Sequence, residues 1–410
     1  MVDDSMNNEI NKKQIKKIFS SSETILLVIL SLLVGLSIGI LLKYKEESNK
    51  KITVENKHLQ EFIKNYNYII DNYYKDVNEE ELVNNAIDGM MKSLEDPYSL
   101  YLNSEETDNF SISLNGSYQG IGVQIVKDEK TGYMLITSIF KDSPAAISGL
   151  KVGDMIVSVD DKKSSDLSAS EFSSIIKNGK KESFKLKIIR GTENLDIELK
   201  KAVVTLSSVT SKIYEENNKK IGYIYIGIFA NNTYQQFKKE INRLEREKID
   251  YLILDVRGNS GGRLTTVDNI LDEFLNKKQI MYKFEQNKKI TEVYGTGKEN
   301  KSYEIILLGD ESSASASEVL ITGLRENLGS KFIGKKTYGK GTVQELVTLS
   351  NGTQYKITIK RWLTPKGNWV NDTEGVIPDI EVELNNKYYE TFEDIDDTQL
   401  QRALRYIEKK

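Results

Sequence analysis

Ser315 lies in the run Ser312-Ser313-Ala314-Ser315-Ala316-Ser317-Glu318, and Lys340 follows 25 residues later in Thr337-Tyr338-Gly339-Lys340-Gly341-Thr342-Val343-Gln344. The chain has no cysteine and one histidine, His58, which is 257 positions upstream of Ser315. A serine that attacks a carbonyl needs a base to take its proton. No thiol is available, and His58 reads as a solvated residue at the start of a helix, so if Ser315 is a nucleophile its expected base is a lysine. Lysine works as a base only when neutral. Its free pKa is about 10.4, so operation near pH 8 needs a depression of roughly 2–3 units. Burial against apolar neighbours supplies such a shift. Ile333, Tyr338 and Val343 are the nearest candidates in sequence. Gly339 and Gly341 let another backbone approach Lys340 closely. Gln344, four residues on, shares its face in an extended strand and could hold the amine through its side-chain carbonyl. Read locally, Ser315 is equally a helix cap, because a serine with Glu318 three residues later makes a capping box. Ser312, Ser313 and Ser317 blur which hydroxyl counts.

Acyl transfer also needs donors aimed at the developing oxyanion. Asp255-Val256-Arg257-Gly258-Asn259-Ser260-Gly261-Gly262 lies between an expected strand and an expected helix. Backbone N–H groups at Gly261 and Gly262 would point from that helix N-terminus. With the N–H of Ala316 they could complete an oxyanion hole. A phosphate loop is the rival reading, but no Lys-Ser/Thr pair follows the glycines and no G-x-G-x-x-G is present.

These residues need elements to hold them. From Leu206 onward strands alternate with helices: Ile221 to Phe229, Tyr251 to Val256, Glu304 to Leu308 and Lys331 to Ile333 as strands, Leu264 to Leu275 and Ala316 to Leu328 as helices. This predicts an α/β layer around a partly parallel sheet over 204–385. Tyr355 to Leu363 suits an added antiparallel strand, and 386–410 a helical tail. Upstream, Leu59, Phe62, Ile63, Tyr66, Ile69, Ile70 and Tyr73 recur at helical spacing, and a second helix covers about Glu80 to Leu94, within a helical region 43–112. Between them, 113–203 changes character. Gly120-Ile121-Gly122-Val123 opens a strand, Met134 to Ile139 is another, and Ser143-Pro144-Ala145-Ala146 and Gly149-Leu150-Lys151-Val152-Gly153-Asp154 precede strand Met155 to Val159. A helix over Ala169 to Lys177 and a strand over Phe184 to Ile189 complete it. This ordered series resembles a PDZ domain. Such a domain captures a peptide end: its glycines expose N–H groups to a terminal carboxylate, and the peptide adds as a strand.

Composition sets further bounds. The 410 residues carry 57 basic and 61 acidic side chains, a net charge of −4, which offers no footprint for nucleic acid. The absence of cysteine rules out disulfides and thiolate metal sites, and with a single histidine no metal site is expected. Ile25 to Leu42 is 18 residues without a charge, at the short end of a membrane span. Lys12, Lys13, Lys16 and Lys17 favour a cytoplasmic tail over 1–24, although Lys43 and Lys45 on the far side weaken that orientation. A cleaved signal peptide is the alternative; no Ala-x-Ala site follows, so an uncleaved anchor over 25–42 is expected.

Together the chain resembles the C-terminal processing peptidases, PDZ-containing serine/lysine proteases, over about Tyr73 to Glu383. The carrying motifs are Asp96-Pro97-Tyr98-Ser99-Leu100-Tyr101, the PDZ series, Asp255 to Gly262, Ser313 to Glu318, Thr337 to Gln344, Leu363-Thr364-Pro365-Lys366-Gly367 and Gly375-Val376-Ile377-Pro378-Asp379. The resemblance implies Ser315 as nucleophile, Lys340 as base, Gln344 as its partner, and Gly261 and Ala316 as oxyanion donors. It implies a crotonase-like α/β core with an inserted PDZ domain, no cofactor, and substrates with apolar C-termini held at Gly120, Ile121, Gly122 and Val123. The family often has His where Tyr98 stands and Pro where Ser260 stands; neither position supplies the nucleophile or base. Lys200 and Lys201, at the junction of PDZ domain and core, are candidates for coupling the two. The tyrosine-rich helices before the PDZ domain are a candidate surface for a homodimer, with packing on the core as the alternative. Two rival functions remain: a membrane-tethered PDZ scaffold with a dead core, and a crotonase-type acyl-CoA enzyme.

Overall fold

Four apolar runs, too continuous for a half-solvated sheet, form the parallel heart of the core. In the computed structural model, which describes residues 56–178, 181–297 and 301–410, they are the strands Lys219–Ile226, Tyr251–Asp255, Glu304–Gly309 and Lys331–Gly334. They lie side by side in that order and pair in parallel. Ile380–Glu381 adds a further parallel strand at one edge, and Val209–Glu216 an antiparallel one at the other.

Both faces of this sheet are covered. On one face, helices Thr233–Arg246, Leu264–Leu271 and Ala316–Leu328 bury Phe237, Ile241, Val267, Ile270, Val319 and Leu320 against Ile224, Leu252, Leu254 and Leu307. Each such side chain contributes about 1.5–3 kcal/mol on leaving water. On the other face, helix Thr398–Glu408 lays Leu400, Ala403, Leu404 and Ile407 over Ile221, Ile253, Ile306 and Ile333. The expected C-terminal helical tail is thus one wall of the core. Asp397 caps it by accepting the Leu400 N–H at 2.9 Å.

A second, antiparallel sheet joins Leu100–Leu102, Thr342–Thr348, Gln354–Leu363, Ile280–Gln286 and Lys289–Tyr294. The PDZ region has its own antiparallel sheet, in which Val123–Lys127, Met134–Ile139, Met155–Val159, Ser183–Arg190 and Glu193–Lys200 lie in that order. Helix Ala169–Asn178 closes its core through Phe172 and Ile176. Its entering and leaving strands, Ser117–Gly120 and Ala202–Thr205, pair with each other, so an insertion begins and ends at one place. Helix Ser104–Asn115, with Asn103 and Glu106 as its capping box, runs across the expected boundary at residue 113.

Helices Lys57–Asn72 and Glu79–Lys92 occupy the region where two helices were expected. The described residues 56–85 belong to a unit of their own. His58 is exposed near the start of the first helix. The expected membrane span, 25–42, lies outside the described residues. Among the described residues no helix is long and apolar enough to cross a membrane.

Candidate active site

Three neighbouring parallel strands deliver the candidate residues from their carboxyl ends, where open α/β sheets place their sites. Strand Tyr251–Asp255 runs into the glycine turn, Glu304–Gly309 into the serine run, and Lys331–Gly334 into the lysine loop.

The serine run sorts itself by hydrogen bonding. Ser313 Oγ donates to the Val256 carbonyl at 2.8 Å, and Ser317 Oγ donates to the Asn259 carbonyl at 2.7 Å; both residues are buried. Ser312 is exposed. Ser315 is half-buried and, although it and Glu318 take up a capping-box arrangement, its hydroxyl donates no hydrogen bond among the described residues. The Glu318 N–H goes to the Ser315 backbone carbonyl at 2.9 Å instead. Ser315 also sits at φ 55°, ψ −112°, a left-handed conformation that costs a non-glycine residue about 1–3 kcal/mol. A plain cap needs no such strain.

Glu318 holds this conformation and ties the two motifs together. Its Oε2 accepts the N–H groups of Ser315 (2.8 Å) and Lys340 (2.9 Å). Its Oε1 accepts the Thr337 hydroxyl (2.6 Å) and the Gly339 N–H (2.7 Å). Burial pushes this carboxyl up, and the four donors pull against it. Both tryptophans of the chain secure the same loop: Trp362 Nε1 donates to the Lys340 carbonyl at 2.9 Å, and Trp369 Nε1 to the Gly341 carbonyl at 3.0 Å.

The Lys340 side chain is half-buried and has no ion pair among the described residues. Burial lowers its pKa first; the Lys356 charge adds to this, while Asp96 and Glu318 oppose it. Its closest described aromatic partner is Tyr98, with Nζ 4.7 Å from the ring centroid. Tyr338, expected as a cover, is 55% exposed. Burial and then a hydrogen bond with Tyr338 push the Tyr98 phenol up to about 12, so the ring stays neutral. Asp96 fixes the segment: Ser99 Oγ donates to Asp96 Oδ2 at 2.6 Å and accepts the Thr358 N–H at 2.9 Å. Burial pushes the Asp96 carboxyl up, but the Ser99 and Thr358 hydrogen bonds and the Lys340 charge leave it below the usual value. Tyr98 and Asp96 are site residues that sequence spacing did not single out; the Asp-Pro-Tyr-Ser motif was the available signal.

Gln344 lies near but is not bonded to Lys340. Its Nε2 donates to Thr342 (2.9 Å) and Thr358 (3.1 Å). Lys340 precedes strand Thr342–Thr348, and a bulge falls between Val343 and Gln344, so simple alternation does not put the two on one face.

The glycine turn abuts the serine. A Cβ on Gly261, at φ 109°, would lie 2.9 Å from the Ala314 carbonyl oxygen and 3.1 Å from Ser315 Cβ, so only glycine allows this approach. The Gly261 N–H, however, donates to Asn259 Oδ1 at 2.8 Å. The Ala316 N–H, first in its helix, has no intrahelical acceptor. Arg257 braces the turn from behind through Asp255 (2.5 Å) and Asp397 (2.8 Å).

In the PDZ region, Gly120, Ile121, Gly122 and Val123 line a cleft of about 960 Å³ whose apolar wall includes Phe172 and Ile176. Strand Val123–Lys127 is an edge strand, open to another strand. Gly122 is at φ 81°, and its Cβ would lie 2.2 Å from Ser143 Cβ. Helix Ser104–Asn115 borders the cleft, with Asp108 3.7 Å from Lys177. Lys200 pairs with Ser183 and Lys201 Nζ donates to the Lys177 carbonyl, so both contacts are internal to the PDZ region. No metal-binding cluster occurs among the described residues.

Comparison with known proteins bears on this arrangement. Residues 220–382 match Peptidase family S41, 119–200 match the PDZ domain, and 40–107 match the N-terminal domain of the activating protease CtpB. The carboxy-terminal processing protease CtpB of Bacillus subtilis is 35% identical over 330 residues, 80% of this chain and 68% of that protein. CtpA of the same organism is 33% identical, covering 78% of this chain and 68% of that protein. A probable CtpA-like serine protease of Staphylococcus aureus is 33% identical, covering 82% and 68%. With a PDZ domain and an S41 core in a mixed α/β fold, the chain belongs to the carboxy-terminal processing serine proteases.

Proposed function

We propose that the chain is a membrane-anchored endopeptidase that uses Ser315 and Lys340 as a dyad and cleaves proteins near apolar C-termini. The observation that carries this reading is the Ser315 hydroxyl. Alone in its run it is half-buried and donates to no group among the described residues, on a strained turn that Glu318 joins to the Lys340 backbone. The Oγ attacks the scissile carbonyl carbon as its proton passes to Lys340 Nζ. The oxyanion meets the Ala316 N–H and the Gly261 turn; for Gly261 to donate, its N–H must leave Asn259. The C–N bond then breaks, the leaving amine takes the proton, and water resolves the acyl-enzyme by the same route. Gln344 keeps its side-chain carbonyl for the Lys340 amine. The PDZ loop at Gly120 to Val123 takes the substrate carboxylate, and Ile121, Phe172 and Ile176 suit an apolar last residue. No cofactor enters. The run 25–42 holds the chain in the membrane with the catalytic part outside the cytoplasm, and exposed Phe62, Tyr68 and Tyr74 support a homodimer.

The test is cleavage of an unfolded protein with an apolar C-terminus by the full chain. Cleavage near that terminus, slowed when it is amidated and absent in Ser315→Ala, is expected. Binding of the substrate with no cleavage would favour the scaffold.

A further inference from the structure

Ser315 and the Gly261 turn follow two different strands, so the distance between them must be set by contacts from loop to loop. The serine run leaves strand Glu304–Gly309, and the glycine turn leaves strand Tyr251–Asp255. An oxyanion donor works only within about 2.7–3.1 Å of the oxygen it stabilises. Asp310, half-buried, is the first residue after strand Glu304–Gly309.

The Asp310 carboxylate reaches both loops. Its Oδ1 accepts the Gly258 N–H at 3.0 Å, the Ser312 N–H at 3.0 Å and the Ser313 N–H at 3.1 Å. Its Oδ2 shares the same Gly258 N–H at 3.1 Å and takes no other donor among the described residues. The Ser312 and Ser313 bonds close the serine run on itself, as an Asp at the head of a turn does. The Gly258 bond instead crosses to the neighbouring loop. Beside it the Asn259 carbonyl accepts the Ala314 N–H at 3.1 Å and the Ser317 hydroxyl at 2.7 Å, so the seam continues toward Ser315 and Gly261.

We propose that Asp310 is a positioning residue for the peptidase reaction: through its bond to Gly258 it holds the Gly261 turn at oxyanion distance from Ser315. This rests on the dyad reading above. The bonding differs from that of Glu318, where each carboxylate oxygen takes two donors. At position 310 an amide keeps all three N–H bonds, because its carbonyl oxygen can stand where Oδ1 stands. A serine there still accepts from the N–H groups of its own turn but is too short to reach Gly258. Serine therefore removes the bridge and leaves the turn.

The experiment measures kcat and KM of the full chain on an apolar peptide ester, and inhibition by the matching peptide aldehyde. Asp310→Ser, Asp310→Ala, Asp310→Asn and Ser315→Ala are compared with the wild type. The aldehyde carbon bonds to Ser315 Oγ, the Oγ proton passes to Lys340, and the carbonyl π pair becomes an oxyanion in the same hole. Its affinity thus reads the donors without turnover. Asp310→Ser is expected to lose about 10²-fold in kcat with KM little changed, and the aldehyde to weaken by the same factor. Asp310→Ala should lose as much and also unfold at lower temperature, and Asp310→Asn should match the wild type. Serine, which keeps the turn, covers the case in which alanine unfolds the chain. Wild-type kcat in Asp310→Ser beside an inactive Ser315→Ala overturns this proposal alone and leaves Asp310 as the head of its own turn. A loss that asparagine does not rescue, or one that leaves aldehyde affinity unchanged, overturns it as well. Activity that survives in Ser315→Ala overturns the dyad reading, and this proposal with it.

Discussion

Lys340→Ala is expected to lower kcat by about 10⁴–10⁶, as removing one member of a nucleophile–base unit does. The chain has no cysteine to act instead, and His58, its one histidine, is exposed on the first helix. Lys340→Arg should fail nearly as completely, because a guanidinium stays protonated at any working pH. Ser315→Ala should cost about as much as either, and the double variant little more, since the two act in one step. Thermal unfolding should change little in Ser315→Ala. A Lys340→Ala enzyme with wild-type kcat would place the base elsewhere.

Glu318→Gln is expected to disable the site and the fold around it together. Four donors converge on the two carboxylate oxygens. A carboxamide is the same shape, but its NH₂ turns two of those acceptances into donor-against-donor contacts. Each buried N–H left unpaired costs about 1–3 kcal/mol, so roughly 2–5 kcal/mol of stability is at stake. The strained φ of Ser315 loses its anchor, and the Ser315 and Lys340 backbones lose their common acceptor. We expect kcat to fall by at least about 10²-fold and the urea midpoint to drop in parallel. Full activity with lowered stability would show that Glu318 is a brace only.

Much of this was written in the sequence, and what escaped it did so for physical reasons. Helix Ala316–Leu328 is where its apolar spacing and Gly329 put it, because propensity, cap and burial agree there. Which serine matters could not be read from the run, since the answer lies in what Ser313 and Ser317 donate to, on a strand end and loop about sixty residues away. Tyr98 reaches Lys340 through tertiary packing of two distant segments, which no local period reports. The hairpin Ile280–Gln286 to Lys289–Tyr294 turns at Asn287 and Lys288, both at positive φ; a lysine stands where glycine would have announced the turn. Helix Thr233–Arg246 did carry a signal in Phe237, Ile241 and Leu244, diluted by its many charges. The bulge before Gln344 breaks an alternation that spacing alone assumes.

The central claim is that Ser315 is acylated with Lys340 as its base, and an acid quench during turnover of an apolar peptide ester tests it most directly. Mass spectrometry of the quenched full chain should find the acyl group on the peptide carrying Ser315 in the wild type, and none in Lys340→Ala or Ser315→Ala. An acyl group on any other residue, or one that forms on Ser315 at the wild-type rate without Lys340, would contradict it.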